Sequence, residues 1–204
     1  MLLREPKKTI KIKYDTTAPS YEKLYGEEQR RKYAIAFKML REAHIEIASS
    51  QILDAGCGTG LLMREISREA QHVVGVDFSI GMIREAKKRI DSNIWERAKC
   101  SLVLADIEYL PFRENTFNLA FSITVLQNIQ NQKQVLYELF RVLKKNGRVV
   151  VSILKRTGEK EQVINLVSQL KNVEIHAILE EDKDLILLLH GKAQQSSEKS
   201  NSTH

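Results

Sequence analysis

A glycine-rich segment follows a short apolar run in the sequence QILDAGCGTGLLMREI, Gln51–Ile66. Asp54 precedes three glycines at alternate positions, Gly56, Gly58 and Gly60. Glycines in this arrangement permit a tight turn from strand to helix and let the backbone approach a ligand. A carboxylate directly before the turn would repel a pyrophosphate, at a cost that grows as water is excluded. The segment therefore predicts a ligand that is cationic near the loop.

A second acid, Asp77, ends the next apolar run, 21 residues after Gly56. An acid at this place can accept hydrogen bonds from ribose hydroxyls, so we expect an adenosine-type ligand. A dinucleotide is disfavoured because its GxGxxG pattern needs a third glycine one residue beyond Gly60, and a P-loop is disfavoured because Leu61 replaces the lysine. S-adenosylmethionine has an ammonium, a sulfonium and no phosphate, and it suits both acids.

Alternating strands and helices must position these residues. Segments between the strands have apolar residues at spacings of three and four and predict helices. The stretch Glu27–Glu46 before the first strand predicts a further helix, with Tyr33, Ala34, Phe37 and Leu40 on its inner face. Short runs of β-branched and aliphatic residues predict seven strands: Gln51–Asp54, His72–Asp77, Ser101–Ala105, Phe117–Ser122, Arg148–Leu154, Val173–Glu180 and Leu185–His190. This order predicts a doubly wound α/β fold, and the short link between the last two strands predicts a C-terminal antiparallel hairpin.

Positive charge is concentrated at the N-terminus. Residues 1–13 contain five basic residues and one acid, a net charge of +4 out of the total of +6. We expect a basic arm over residues 1–13, a single domain over 14–191 and a disordered polar tail over 192–204. Such an arm is compatible with a solvated terminus and with a flexible segment that meets polyanions.

Composition disfavours several classes of protein. No window approaches the roughly 18 uncharged apolar residues of a membrane span, and the N-terminus lacks the apolar core of a secretory signal. The two cysteines, Cys57 and Cys100, indicate no disulfide framework and no metal cluster. We therefore expect a cytoplasmic protein with no membrane span and no bound metal.

Four segments then point to a family: LDAGCGTG, VVGVDFSIGMI, ADIEYLPFRENTFNLAFS and LFRVLKKNGRVVVS. In this order they resemble the successive motifs of class I S-adenosylmethionine-dependent methyltransferases, above all the small group typified by ubiquinone/menaquinone methyltransferases. The resemblance covers residues 14–154 and continues in topology to 191. It implies a Rossmann-like sheet of seven strands, S-adenosylmethionine as cofactor, and an N-terminal lid helix entered through YDTTAPSYEKLY.

The same resemblance implies roles for thirteen residues. The methionine moiety would be lined by Asp54, Gly56, Cys57 and Gly58. Adenosine would be held by Asp77 at the ribose hydroxyls, Asp106 at the adenine amino group, and Phe78, Met82 and Ile107 beside it. The sulfonium side would be faced by Ser122 and Ile123. The ligand would be covered by Tyr14 and Tyr21.

The acceptor is harder to predict. The segment SITVLQNIQNQ after the fourth strand lacks the Asn-Pro-Pro-Tyr type of tetrapeptide, which disfavours methylation of adenine N6 or a glutamine side chain. Gln127 and Asn128 lie where many relatives have histidines, so no catalytic residue is assigned. Lys155 and Arg156 at the ligand edge, and an open site without a cover domain, favour RNA or a translation component slightly, with an activating protein partner as an option. A small-molecule, quinone-like acceptor is the alternative, and a non-catalytic binding module ranks third.

Overall fold

A mixed sheet forms the centre of the computed structural model, which describes residues 5–155 and 159–191, with the backbone alone described at 95 and 159. Within those residues its strand order is β3-β2-β1-β4-β5-β7-β6. The strands are β1 (Gln51–Ala55), β2 (His72–Asp77), β3 (Cys100–Leu104), β4 (Phe117–Ile123), β5 (Leu143–Leu154), β6 (Val173–Glu181) and β7 (Asp184–Gly191). Strands β1 to β5 pair in parallel, and β7 is antiparallel to both β5 and β6. The predicted doubly wound fold with a C-terminal antiparallel hairpin is confirmed.

Helices cover both faces of the sheet. They are α1 (Lys7–Thr17), α2 (Tyr21–Glu42), α3 (Leu61–Ile66), α4 (Ile80–Asp91), α5 (Ile94–Lys99), α6 (Gln132–Val142) and α7 (Glu159–Ser168). One core cluster joins α6 and α7 to the sheet, and the other joins α2 and α3 to its opposite face. On β1, Leu53 belongs to the first cluster and Ile52 to the second, because successive side chains of a strand point to opposite faces. None of the described helices is long and apolar enough to cross a membrane.

The strand order reverses at β1, which lies between β2 and β4. In open α/β sheets a crevice forms at such a reversal, beyond the carboxyl ends of the strands, and ligands bind there. The glycine loop begins at Gly56, directly after β1, and Asp77 is the last residue of β2. The fold therefore brings the two acid-bearing segments of the sequence to one crevice.

Several predicted boundaries shift. The helix predicted over Glu27–Glu46 is α2, which begins at Tyr21 and ends at Glu42. Ala34 is exposed and Ala36 is fully buried, so the inner stripe of α2 differs from the predicted one at this position. Helix α6 ends at Val142, because the next residue, Leu143, is extended and begins β5.

The N-terminal segment is helical from Lys7 onward. Helix α1 begins at Lys7, so the boundary placed between residues 13 and 14 falls inside a helix. The remaining sequence of the predicted arm, residues 1–4, and the predicted tail, 192–204, lie outside the described residues, as does Arg156. Lys155 is exposed at the end of β5 and pairs with Glu180.

Candidate functional site

A cavity of about 230 Å³ lies at the carboxyl ends of the parallel strands. Residues from the loops after β1, β2, β3 and β4 line it, and helix α1 covers it. Ten of the thirteen predicted site residues are among them: Tyr14, Tyr21, Gly56, Gly58, Asp77, Phe78, Met82, Asp106, Ile107 and Ile123. The predicted cofactor residues are thus brought together, although what they bind stays a prediction.

Gly56 and Gly58 of the glycine loop both have positive φ, but their surroundings differ. Gly56 has φ of +86°, and a Cβ there would lie 2.3 Å from a methyl carbon of Val125. Gly58 has φ of +53°, and a Cβ there would meet no heavy atom within 4 Å. Gly56 is therefore required for packing against the segment after β4, whereas Gly58 leaves open space on the cavity side.

Asp77 ties the end of β2 to the glycine loop. Its Oδ2 accepts a hydrogen bond of 3.0 Å from the backbone amide of Gly58, and its Oδ1 accepts one of 2.8 Å from the amide of Ser79. Burial raises the pKa of Asp77 to about 6, although backbone hydrogen bonds from Ser79, Gly58 and Phe78 oppose the rise. The carboxylate therefore fixes the loop and also faces the cavity.

Asp54 lies beneath the cavity and does not line it. The residue is 3% exposed, and its Oδ2 has no hydrogen-bond partner among the described residues. Burial, together with the nearby charge of Asp77, raises the pKa of Asp54 to about 8. Its carboxyl group is therefore largely protonated at neutral pH, and it becomes a charge complement only when a cation close by favours ionisation.

Cys57 and Ser122 also lie outside the cavity lining. Cys57 is 7% exposed, and burial raises the pKa of its thiol well above the ordinary value. Ser122 is fully buried, and its hydroxyl has no hydrogen-bond partner among the described residues. Both side chains support the loops that line the cavity, so their proposed contact with a ligand needs a local movement.

Helix α1 presents one face to the cavity. Lys7, Ile10 and Tyr14 line it at spacings of three and four, which place residues on one side of a helix. The Lys7 ammonium pairs with Asp106 and, at 2.8 Å, with Glu108. Lys7 and Ile10 were not predicted as site residues, although their spacing from Tyr14 could have identified them.

The aromatic part of the lid is held by edge contacts and one hydrogen bond. The Tyr14 ring lies edge-on to Tyr21 and to Phe78, each at 6.4 Å between ring centroids. The Tyr14 hydroxyl accepts a hydrogen bond of 2.8 Å from Asn128 Nδ2. Burial raises the pKa of both tyrosines, so their hydroxyls stay protonated at physiological pH.

Asp15 docks α1 onto the N-terminus of α4. Its Oδ1 accepts hydrogen bonds from the Ser79 hydroxyl, at 2.6 Å, and from the Gly81 amide, at 2.9 Å. Partial burial opposes it, but hydrogen bonds from Lys11, Ser79 and Gly81 lower the pKa of Asp15 to about 2. A Cβ at Gly81 would lie 2.7 Å from the Asp15 carbonyl oxygen, so the two helices need glycine there.

The segment after β4 forms the remaining wall of the cavity. Of its lining residues beyond the strand, only Asn128 was considered from the sequence. These lining residues are Thr124, Val125, Asn128, Ile129, Gln130 and Asn131. No histidine or cysteine lines the cavity in the described part of the chain. The wall therefore offers hydroxyl and amide groups and no general base that titrates near neutral pH.

The charged groups of the lining are mainly acidic. They are Glu5, Asp77, Asp106 and Glu108 against the single Lys7. In the described residues no cluster of histidine, cysteine and acidic side chains could hold a metal ion. The cavity therefore suits a ligand with cationic or neutral hydrogen-donating groups at this end.

Comparisons with known proteins bear on this site. The family described as "Methyltransferase domain" matches residues 53–151. A malonyl-[acyl-carrier protein] O-methyltransferase of Hamiltonella defensa is 31% identical over 155 residues, covering 76% of this chain and 55% of that relative. A ubiquinone/menaquinone biosynthesis C-methyltransferase of Geotalea uraniireducens is 30% identical over 158 residues, covering 73% of this chain and 64% of that relative. The chain spans less than two thirds of either relative's length.

A solved structure extends the likeness to almost the whole fold. Magnesium protoporphyrin IX methyltransferase from Synechocystis PCC 6803, with bound SAM, has a TM-score of 0.74 and covers 94% of this chain and 100% of its own. The sequence identity is 14%, so this likeness concerns the fold alone.

Proposed function

Because this chain belongs to the class I S-adenosylmethionine-dependent methyltransferase family, we propose that it transfers a methyl group from S-adenosylmethionine to a small-molecule acceptor. The observation that carries the proposal is that Gly58, Asp77 and Asp106 line one cavity. Each lies at or after the carboxyl end of a different parallel strand. This matches the place where open α/β sheets bind their ligands.

The residues present fit the cofactor. Asp77 and Asp106 offer carboxylate oxygens to hydroxyl and amino donors, and the open side of Gly58 leaves room against the backbone. The unpartnered, buried Oδ2 of Asp54 would gain a partner from a cationic group nearby. Cys57 and Ser122 support this set from below. The bound cofactor supplies a methyl group already activated on a sulfonium.

The lid would exclude water and align the acceptor. Tyr14, Tyr21 and Ile10 cover the cavity, and its volume of about 230 Å³ is below the roughly 300–1,000 Å³ of small-molecule sites. Helix α1 would therefore move outward on binding and close again. Alignment and exclusion of water are the main contributions an enzyme makes when the donor is already activated. No residue of the wall is assigned as a base.

Three observations favour a small molecule over RNA. Two cations of the basic arm, Lys7 and Lys11, are paired with acids of the domain. The charged side chains of the lining are four acids and one lysine, and this excess of acids would repel phosphates. The relatives are named for a malonyl group carried on an acyl-carrier protein and for quinone biosynthesis, neither of which is RNA, so the slight preference for RNA finds no support there.

Calorimetry and label transfer would test the proposal. S-adenosylmethionine and its demethylated product should bind, and NAD should not. Tritium from the labelled cofactor should appear in the small-molecule fraction of a cell extract that is split into small molecules, RNA and protein. Label in the RNA fraction alone would overturn the small-molecule acceptor, and absence of cofactor binding would overturn the whole proposal. Transfer that requires added extract protein would identify an activating partner.

A further inference from the structure

Lys32 is a buried cation close to the cavity that does not line it. The residue on α2 is 1% exposed. Its Nζ lies 2.7 Å from Glu28 Oε1 and 2.9 Å from Asp184 Oδ2, and it donates a hydrogen bond of 3.0 Å to Thr124 Oγ1. Burial of an ammonium is unfavourable unless partners satisfy it, and these three oxygens come from α2, β7 and the turn after β4.

Thr124 has an unusual backbone conformation. Its φ is +63°, and a β-branched residue in the left-handed region is an outlier that persists only where the surroundings over-determine it. Besides Lys32, Gln29 Nε2 bonds its hydroxyl at 3.2 Å, and its own amide donates to Ser152 Oγ at 2.8 Å. Side chains of α2 and β5 therefore hold the turn in place.

The turn at Thr124 orients the wall of the cavity that the segment after β4 forms. The Thr124 carbonyl accepts hydrogen bonds from Gln127 Nε2, at 2.8 Å, and from Asn128 Nδ2, at 3.5 Å. Asn128 also donates to the Tyr14 hydroxyl of the lid, and Thr124, Asn128 and Tyr14 all line the cavity. A continuous set of contacts thus links Lys32 to the lid tyrosine.

We infer that Lys32 is a positioning residue, which fixes the Thr124 turn and through it the wall that faces the acceptor. The meaning given to that wall rests on the proposed function, whereas the contacts do not. At 1% exposure Lys32 cannot touch the acceptor itself. Buried ion pairs are often replaceable by apolar residues without loss of stability, which leaves orientation as the role to test.

The test uses charge and hydroxyl variants of the full chain. Lys32→Met removes the anchor but leaves Asp184 buried without its partner, so the double variant Lys32→Met/Asp184→Asn removes both charges. Thr124→Val removes the hydroxyl, and Thr124→Ser keeps it. The matched control is Lys38→Met on the same helix, because Lys38 is exposed with only a long contact to Glu42 of 3.9 Å.

Four measurements separate positioning from stability. Thermal unfolding reports folding, and calorimetry with S-adenosylmethionine reports the cofactor site. Amide hydrogen exchange of residues 123–131 reports how firmly the wall is held. Label transfer into serial dilutions of the small-molecule extract reports how well the wall supports methyl transfer. Wild-type calorimetry tests the proposed function alone, and hydrogen exchange tests the inference alone.

We expect the double variant to unfold near the wild-type temperature and to bind cofactor within twofold of wild type. Exchange at residues 123–131 should rise at least tenfold, and label transfer should fall at least tenfold. Thr124→Val should behave in the same way. Thr124→Ser should keep wild-type exchange at residues 123–131 because it keeps the hydroxyl, and Lys38→Met should match wild type in every measurement. Wild-type exchange and transfer in the folded double variant would show that Lys32 is only structural and overturn the inference. An equal rise in exchange in Thr124→Ser would also overturn it, because the contacts of the hydroxyl would then not be what holds the turn.

Discussion

The backbone amide of Gly58 donates a hydrogen bond of 3.0 Å to Asp77 Oδ2. This contact joins the glycine loop after β1 to the end of β2. The acid that we expect to bind ribose hydroxyls therefore also holds the loop against which the cofactor would lie. Changes at either residue should affect both the shape of the site and the affinity for its ligand.

Substitution of Asp77 should reduce the affinity for the cofactor more than substitution of an exposed acid does. Asp77→Ala removes hydrogen bonds to a charged group, so we expect a loss of roughly 1.5–3 kcal/mol, or about 10- to 150-fold in affinity. The amides of Gly58 and Ser79 also lose their acceptor, so the unfolding temperature should fall. Calorimetry with S-adenosylmethionine measures the first effect. The control is Asp91→Ala on α4, where the carboxylate pairs with Lys87 on the surface; equal losses in both variants would contradict a role at the site.

Asp54 should make stability depend on pH in a defined direction. The folded-state pKa values of Asp54 and Asp77, about 8 and about 6, exceed the unfolded value of roughly 3.9. The folded protein therefore binds more protons than the unfolded chain between these values, and these two acids lower stability as pH rises from about 4 to about 8. Asp54→Asn removes the larger contribution. Its unfolding temperature relative to wild type should increase steadily across this range, and a difference that is constant with pH would disprove the assignment.

Cofactor binding should release protons from Asp54. A cation near the carboxyl group lowers its pKa from about 8, so a fraction of a proton should leave at pH 7. Calorimetry in phosphate and in Tris, which have different ionisation enthalpies, measures this release. The Asp54→Asn variant should bind the cofactor more weakly, and its binding enthalpy should no longer depend on the buffer. An unchanged buffer dependence in that variant would assign the proton to another group.

Lys7 should compete with the cofactor for Asp106. Its ammonium pairs with the carboxylate that we expect to bind the adenine amino group. The pair is partly exposed, and such pairs are worth about 0–1 kcal/mol, so Lys7→Met should tighten cofactor binding by no more than about fivefold. Lys8→Met is the matched control, since Lys8 is an exposed neighbour on the same helix. Weaker binding in Lys7→Met would instead make Lys7 part of the closed lid.

Gly81 should control the docking of the lid. An alanine Cβ there would lie 2.7 Å from the Asp15 carbonyl oxygen, so Gly81→Ala should separate α1 from α4 at a cost of about 1–3 kcal/mol. Limited proteolysis within α1 should become faster and cofactor affinity should fall. Gly191→Ala provides the control, because its added Cβ would come no closer than 3.7 Å to the nearest atom. Unchanged proteolysis in Gly81→Ala would show that α1 does not depend on this contact.

Residue types and their spacing were enough to predict the fold and the positions of the residues that end β1 and β2 beside the cavity. Strand β2 was predicted at its observed bounds, His72–Asp77, and Gly56 and Asp77 were placed correctly at the ends of adjacent strands. These features depend on local properties: residue type, a period of two or of three to four, and turn residues that tolerate positive φ. The family motifs added S-adenosylmethionine, since they occur in order at the expected spacing.

Contacts between groups that are distant in the sequence could not be predicted, because they depend on the folded chain. The pair between Lys7 and Asp106 joins residues 99 positions apart, and no local pattern specifies which acid a lysine will reach. The raised pKa of Asp54 is caused by burial and by the nearby charge of Asp77, and both conditions are met only when β1 and β2 pair. The left-handed turn at Thr124 is held by side chains of α2 and β5, while its own sequence disfavours that conformation. Local preference is set by each residue and its neighbours, whereas charge, strain and solvent exclusion are set by contacts that exist only in the folded chain.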